Sequence, residues 1–403
     1  MRPRTRARLL PLAVALALVV AAGCGSDEPS SSGNAAPQGF TPPEVPMLQS
    51  LGAGEGKVNL VAWAGYVEDG STDKSVDWVT PFEKETGCQV NAKVAATSDE
   101  MVQLMKSGQY DAVSASGDAS LRLIAGGDVA PVNTDLVKNY ADVFDALKLK
   151  PWNSVNGKAY GIPHGRGANL LMWRTDVVKP APDSWGVVFD PSSPYKGKVT
   201  AYDSPIYIAD AALYLKSAKP ELGITNPYEL DDKQFQASVD LLKQQASLVG
   251  EYWGDYSKAA QAIKSGSTVL GTSWQYIVNL AEADKAPVGS TLPKEGSTGW
   301  SDTWMVSSKA ANPNCAYLWM NHIISPKANA QVAEWFGEAP SNRDSCGVTT
   351  DPDHCTIYHA DETDYWTDVW YWTTPTSTCR DGRTDVECTT YPQWVDAWNS
   401  LRS

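Results

Sequence analysis

The chain has 403 residues, with 33 Lys and Arg against 47 Asp and Glu, for a formal net charge of −14. So acidic a protein lacks the cationic footprint that nucleic-acid binding needs, and its field suits a positively charged partner. The length provides for two domains, each with a core of its own.

The first residues read as a processing signal. Arg2, Arg4, Arg6 and Arg8 precede the apolar run Leu9 to Val20, which is short of the roughly 20 apolar residues a membrane span requires. Residues 1–23 are therefore expected to be a signal peptide. They remove four arginines and no acid, so the remainder is more acidic still. Ala21-Ala22-Gly23-Cys24 resembles a bacterial lipobox, which implies lipidation of Cys24; the alternative is an ordinary secretory signal with a bystander thiol. Residues 24–56, rich in Ser, Pro and Gly near their start, predict a flexible tether. About 30 such residues reach on the order of 30 Å, which suits a globule held beside a membrane.

Past the tether, strands and helices alternate. Val58 to Trp63 predicts a strand. Asp77 to Thr86 predicts a helix capped by Thr80, with Pro81 at its first position and Gly87 as its stop. Gln89 to Val94 is the next strand, and Ser98 or Asp99 opens a second helix. Tyr110 to Val113, Ala168 to Trp173, Lys198 to Ala201 and Thr268 to Ser273 complete the strands; Ile208 to Lys216 and Asp232 to Leu248 the helices. This alternation predicts an α/β fold with largely parallel pairing. The segment from about Ser345, rich in Trp, Thr and Cys, is expected to be mostly irregular until Gln393 to Leu401, and to wrap the outside of a lobe.

Six cysteines remain beyond Cys24, an even number that favours disulfides in an exported chain. Cys346 with Cys355 and Cys379 with Cys388 close short loops, which leaves Cys88 with Cys315. Zinc is the alternative, but no CxxC pair or His-rich cluster supports it. His164, His322, His354 and His359 show no ligand spacing, so neither a metal nor a cofactor is expected. Catalytic signatures such as HExxH and GxSxG are missing, and GAGEGK at 52–57 has the wrong spacing for a phosphate loop. The chain is not expected to be an enzyme.

Several segments, in order, resemble the spermidine/putrescine-binding proteins of bacterial ABC importers. They are AWAGYV from Ala62, GQYDAVSAS from Gly108, Gly161-Ile162-Pro163, Tyr195 to Lys198, Trp274, PKEG from Pro293, Trp300-Ser301-Asp302 and EAPSN from Glu338. The resemblance implies a two-lobed type II periplasmic-binding fold with a hinge-bounded ligand cleft. Lobe 1 is then expected from 57–166 and 300–345, and lobe 2 from 167–299 and 346–403. It implies aromatic walls from Trp63, Tyr66, Trp274 and Trp300, a polar contact from Ser116, and the ammonium-holding carboxylate from Asp302. Asp203 falls near a second acidic position, to within one residue. The implied protein is a monomer, extracytoplasmic and lipid-anchored, which passes a small cationic amine to a permease.

The residue chemistry fits that role. An alkyl-ammonium needs carboxylates for its charge and aromatic faces for its charge and methylenes. Each residue also has a packing reading: sixteen tryptophans cannot all line a site, and Asp203 suits a helix cap. Trp366, Trp370 and Trp372 read either as a lip over the cleft or as packing under a loop.

Three departures bear on the ligand. Asp118 and Glu338 stand where aromatic hydroxyls are usual, and His164-Gly165-Arg166 replaces aromatic residues. Extra acids suit more amine groups. Arg166 either pairs with Asp118 or Glu338, or grips the acid of a zwitterionic or carboxylated amine such as an amino acid or opine-like conjugate.

Overall fold

The computed structural model describes residues 41–379 and 381–403. The expected signal peptide and Cys24 lie outside the described residues. Fifteen strands order the described chain. They are β1 (Lys57–Ala62), β2 (Gln89–Val94), β3 (Ala112–Ala115), the hairpin β4 (Ser154–Val155) and β5 (Lys158–Ala159), β6 (Ile162–Pro163) and β7 (Gly165–Arg174). Then come β8 (Val199–Tyr202), β9 (Val249–Trp253), β10 (Leu270–Trp274), β11 (Val288–Thr291), β12 (Ser297–Trp300), β13 (Thr303–Val306), β14 (Ala339–Pro340) and β15 (Val369–Tyr371).

The first lobe is built on a five-stranded sheet in the order β2-β1-β3-β13-β6, and the second on an eight-stranded sheet with the path β15-β12-β7-β10-β8-β9. In the first, β1 runs parallel to β2 and β3, while β13 is antiparallel to β3 and β6. Strand β3 is buried along its whole length, as a central strand covered on both faces must be. In the second sheet β8 is parallel to β9 and β10, and β7 is antiparallel to β10, β11, β12 and β14.

Two of the places where the chain passes between the sheets are neighbours. One is β6 to β7, through His164; the other is β12 to β13, through Ser301 and Asp302. The two are tied to each other by a bond from His164 N–H to the Asp302 carbonyl, 2.9 Å long. This double crossing is the hinge.

Local chemistry accounts for the element ends and shifts two of the expected caps. The first helix begins at Val79, and the Asp77 carboxylate, not Thr80, accepts the Thr80 N–H at 2.8 Å. Gly87 ends it in the left-handed conformation. The second helix is capped by Thr97, one residue before the expected Ser98, because the Thr97 side chain accepts the Glu100 N–H. Helix Asp232–Gln245 carries a full capping box from Asp231 and Gln234.

The disulfides are Cys88–Cys315, Cys346–Cys355 and Cys379–Cys388. The first ties the residue before β2 to helix Pro313–Ile323 of lobe 1, across 227 residues. The expected phosphate-loop lookalike serves packing: Glu55 accepts the N–H groups of Asn314 and Cys315, holding the start of helix Pro313–Ile323. Val45 and Leu48 also pack against the core, so the packed chain begins before residue 57, where the tether was expected to end.

The C-terminal segment does more than wrap one lobe. β15 adds to β12 in the second sheet, and helix Tyr391–Arg402 packs behind it through Trp394 and Trp398. Between them the chain touches lobe 1, where Thr374 Oγ1 donates to the Asp118 carbonyl at 2.8 Å. A Cβ on Gly117 would lie 1.8 Å from the Trp372 carbonyl oxygen, so only glycine fits at that crossing.

Candidate functional site: an aromatic cleft closed by one buried acid

A cavity of about 240 Å³ opens between the lobes beside the hinge. Trp63 and Ser116 reach it from the ends of β1 and β3, and Trp274 and Trp300 from the ends of β10 and β12. Trp372 and Phe336 complete its aromatic wall, and Asp302 lies in it at the hinge. Strand ends line the cleft because loops there are free of ladder bonds and can aim side chains outward from a rigid sheet.

Asp302 is 3% exposed and receives two hydroxyl bonds: Ser116 Oγ donates at 2.5 Å and Tyr66 Oη at 2.7 Å. Asp111 marks what a structural buried acid looks like in the same chain. It accepts backbone and side-chain N–H groups from both Asn59 and Asn312. Asp302 has no N–H donor to its carboxylate among the described residues. Burial, with Asp118 nearby, pushes its pKa up to about 7, against the lowering pull of its two hydroxyl donors. A carboxylate so placed gains most from a cation in the cleft.

The other expected ligand residues divide sharply by position. Trp63, Ser116, Trp274 and Trp300 line the cavity with Asp302. Tyr66 is wholly buried behind Asp302; it is a support to the acid and not an aromatic wall. Glu338 lies deeper still, its Oε2 3.3 Å from Tyr66 Oη and its Oε1 3.4 Å from His164 Nε2. A Cβ on Gly165 would fall 2.4 Å from the Glu338 carboxyl carbon, so this glycine makes the space. Asp118 is buried against Ser98, which donates to it at 2.9 Å, and is not part of the cavity wall.

Asp203 and Arg166 depart from the expected placement altogether. Asp203 faces the C-terminal helix, accepting from Trp398 Nε1 and Arg402 Nε at 3.1 Å each. Arg166 pairs with neither Asp118 nor Glu338. It donates to the Ala360 carbonyl at 2.8 Å and to Tyr371 Oη at 3.3 Å, and its guanidinium stacks 4.1 Å above Trp366. The pairing of β14 with β7 sets Arg166 opposite Ala339, and its side chain borders two cavities other than the aromatic cleft.

Sequence reasoning missed Phe336, and it left Trp372 between two readings. Trp372 stacks on Tyr202 with rings 5.6 Å apart and nearly parallel. Its signal was present in the late tryptophan cluster, but only the return of β15 to β12 selects it over Trp366 and Trp370. At the mouth stand Asp255, Tyr256 and Ser257, with Asp255 capping helix Tyr256–Ser265.

Residues 77–354 match the family model described as bacterial extracellular solute-binding protein, a span of more than half the chain. The chain belongs to this family. A relative of this solute-binding protein is the spermidine/putrescine-binding periplasmic protein of Escherichia coli (strain K12). It is 26% identical over 284 residues, covering 70% of this chain and 76% of the relative. The fold is similar to that of the spermidine/putrescine ABC transporter substrate-binding protein PotD from Streptococcus pneumoniae. The TM-score is 0.65 at 16% identity, over 86% of this chain and 97% of that one. It is equally similar to the binding protein MotA from A. tumefaciens B6 in complex with glucopine, with a TM-score of 0.67 at 18% identity over 86% and 100% of the two chains. Membership of this family makes the chain an extracytoplasmic binding protein with the two-lobed α/β fold. No helix among the described residues is long and apolar enough to cross a membrane.

Proposed function

We propose that this solute-binding protein captures a small polyamine-like cation between its lobes and delivers it to the permease of an ABC importer. The observation that carries the reading is Asp302: a buried carboxylate with two hydroxyl donors, set in a cavity walled by Trp63, Trp274, Trp300 and Trp372. An ammonium bonded to Asp302 supplies the missing countercharge, and its methylenes lie against indole faces. Each cation–π contact contributes about 0.5–2 kcal/mol and a charge-assisted hydrogen bond about 1.5–3 kcal/mol. A few of each, less the cost of closing the lobes, reach about −8 kcal/mol, a micromolar Kd.

The polyamine relatives support the ligand class. The position of Arg166, outside the aromatic cleft, weighs against a ligand whose acid group is gripped by that guanidinium. Binding calls for no proton abstraction or nucleophile, so the reading is of a carrier and not an enzyme. The cleft is complete within one chain, which supports a monomer. Lipidation of Cys24, with residues 1–23 removed, would keep the globule at the outer face of its membrane.

Thermal-shift measurement with putrescine, spermidine, agmatine, amino acids and simple carboxylates tests the reading. A ligand at a hundredfold excess over its Kd raises stability by about 2.7 kcal/mol. A response to amines that disappears in Asp302→Ala supports it. A response confined to carboxylates and lost in Arg166→Ala overturns it.

A further inference from the structure

Behind Asp302 a line of buried groups runs away from the cleft, and its proton count follows from geometry. Tyr66 Oη lies 2.7 Å from Asp302 and 3.3 Å from Glu338. A phenol has one proton, and the shorter contact places it on Asp302. The contact to Glu338 is then a hydrogen bond only if Glu338 carries a proton and donates it to the Tyr66 oxygen. Beyond Glu338 stands His164, whose Nδ1 accepts from Trp304 Nε1 at 2.9 Å. That assigns the imidazole proton to Nε2, which faces Glu338 Oε1 at 3.4 Å. A neutral carboxyl with its hydroxyl toward Tyr66, and with its other oxygen beside His164 but not hydrogen-bonded to it, keeps one direction of donation from Glu338 through Tyr66 to Asp302.

No cation stands near enough to change this count. Neither Asp302 nor Glu338 forms an ion pair with a Lys or Arg among the described residues, and His354 meets the Glu338 backbone carbonyl, not its carboxyl. The other ionisable groups facing the pair are Asp118, Tyr202 and Tyr358, with Asp255 and Tyr256 at the mouth. All are acids or phenols.

Resting on the amine reading, we propose that Glu338 is a positioning residue that keeps its proton, so the buried end of the cleft offers a cation one carboxylate charge, and that loading this end expels the proton Asp302 holds when empty. The exchange balances: with Ser116 and Tyr66 both donating to Asp302, its acid proton faces the cleft, and it passes to solvent as the ligand ammonium, already protonated, takes its place. The buried end thus selects a single ammonium, and any second amine of the ligand points toward Asp255 at the mouth. The two acids that looked like extra amine anchors, Asp118 and Glu338, are not available as such. Burial supports the proton count: with the charge of Asp302 it pushes Glu338 well above the usual carboxylate range, and with that of Asp118 it pushes Asp302 to about 7.

Calorimetric titration of putrescine in two buffers of unlike ionisation heat at each pH, phosphate and MES at pH 6 and borate and Bicine at pH 8.5, reads the proton directly. The expected release is close to one proton per putrescine at pH 6 and near zero at pH 8.5, with affinity about tenfold weaker at the lower pH. Glu338→Gln, which keeps a donor toward Tyr66 without a charge, preserves affinity and proton release, whereas Glu338→Leu loses affinity at least tenfold. Infrared spectroscopy of the ligand-free protein at pH 8.5 provides a reading that needs no ligand: a protonated carboxyl stretch that Glu338→Gln removes and Asp302→Asn leaves. Binding of putrescine with the same affinity at both pH values and no buffer dependence, or absence of that carboxyl stretch, overturns the inference and leaves the amine reading intact. Absence of binding by putrescine and spermidine at either pH overturns the amine reading, and the infrared band alone then decides for or against a protonated Glu338.

Discussion

Tyr66 Oη donates to Asp302 Oδ2 at 2.7 Å across a sequence separation of 236 residues. The bond fastens the loop after β1 to the hinge, so the acid that meets the ligand is held by both the lobe-1 sheet and the crossing strands. Removal of that hydroxyl in Tyr66→Phe leaves Ser116 as the sole donor to the carboxylate among the described residues. Loss of a charge-assisted bond of about 1.5–3 kcal/mol predicts an amine affinity weakened by roughly 10- to 100-fold. Titration calorimetry at pH 8 measures it; an unchanged Kd would mean that Tyr66 plays no part in holding the acid.

Asp302 is expected to stabilise the complex at the expense of the empty protein. Its native pKa of about 7 lies above the ordinary carboxylate value of 3.8. Between those values the folded state binds more protons than the unfolded one, so the contribution of Asp302 to stability falls as pH rises from about 4 to 7 and stays low above. Asp302→Asn should therefore raise the melting temperature of the ligand-free protein at pH 8, by a free energy of up to about 4 kcal/mol. The gain should vanish near pH 4, and amine binding should be lost at every pH. Melting curves at the two pH values test the sign.

Arg166 is predicted to matter for stability and not for amine capture. Its bonds to Ala360 and Tyr371 and its stacking on Trp366 hold the C-terminal segment against β7. Arg166→Gln should destabilise the fold by about 1–3 kcal/mol in denaturant unfolding while leaving the Kd for putrescine within threefold. A large loss of affinity at unchanged stability would return Arg166 to the ligand.

The long disulfide is a lobe-1 staple. Closing a loop of 227 residues restricts the unfolded chain enough to contribute about 5 kcal/mol by loop-closure entropy. Cys88→Ala with Cys315→Ala should lower the unfolding free energy by several kcal/mol, whereas opening Cys346–Cys355 should have a smaller effect. Equal losses in chemical unfolding would contradict the entropic account.

The parts of the cleft legible in the sequence were those set by a readable strand or by the ordered resemblance. Trp63 follows a predicted strand, whereas Trp300 and Asp302 were marked by the resemblance alone, and in the structure Trp300 ends β12 and Asp302 precedes β13. What failed depended on long-range register. Glu338 was read as another ligand acid, but the pairing of Ala339 with Arg166 draws it behind Tyr66. Asp203, matched to a second acidic position only to within one residue, is occupied instead by contacts from a helix about 200 residues later. Trp372 carries no periodic signal in its Thr- and Cys-rich surroundings, and its place follows from β15 joining β12. The alternation of apolar and polar residues reports which face is buried; it does not report which distant segment covers it.

A crystal structure of the complex with putrescine tests the central claim most directly. The predicted result is a diamine in the aromatic cleft with one nitrogen within about 3 Å of an Asp302 oxygen and its carbons between Trp300 and Trp63. Density for the diamine elsewhere, or an Asp302 carboxylate that keeps only Ser116 and Tyr66 as partners while the ligand is bound, would contradict it.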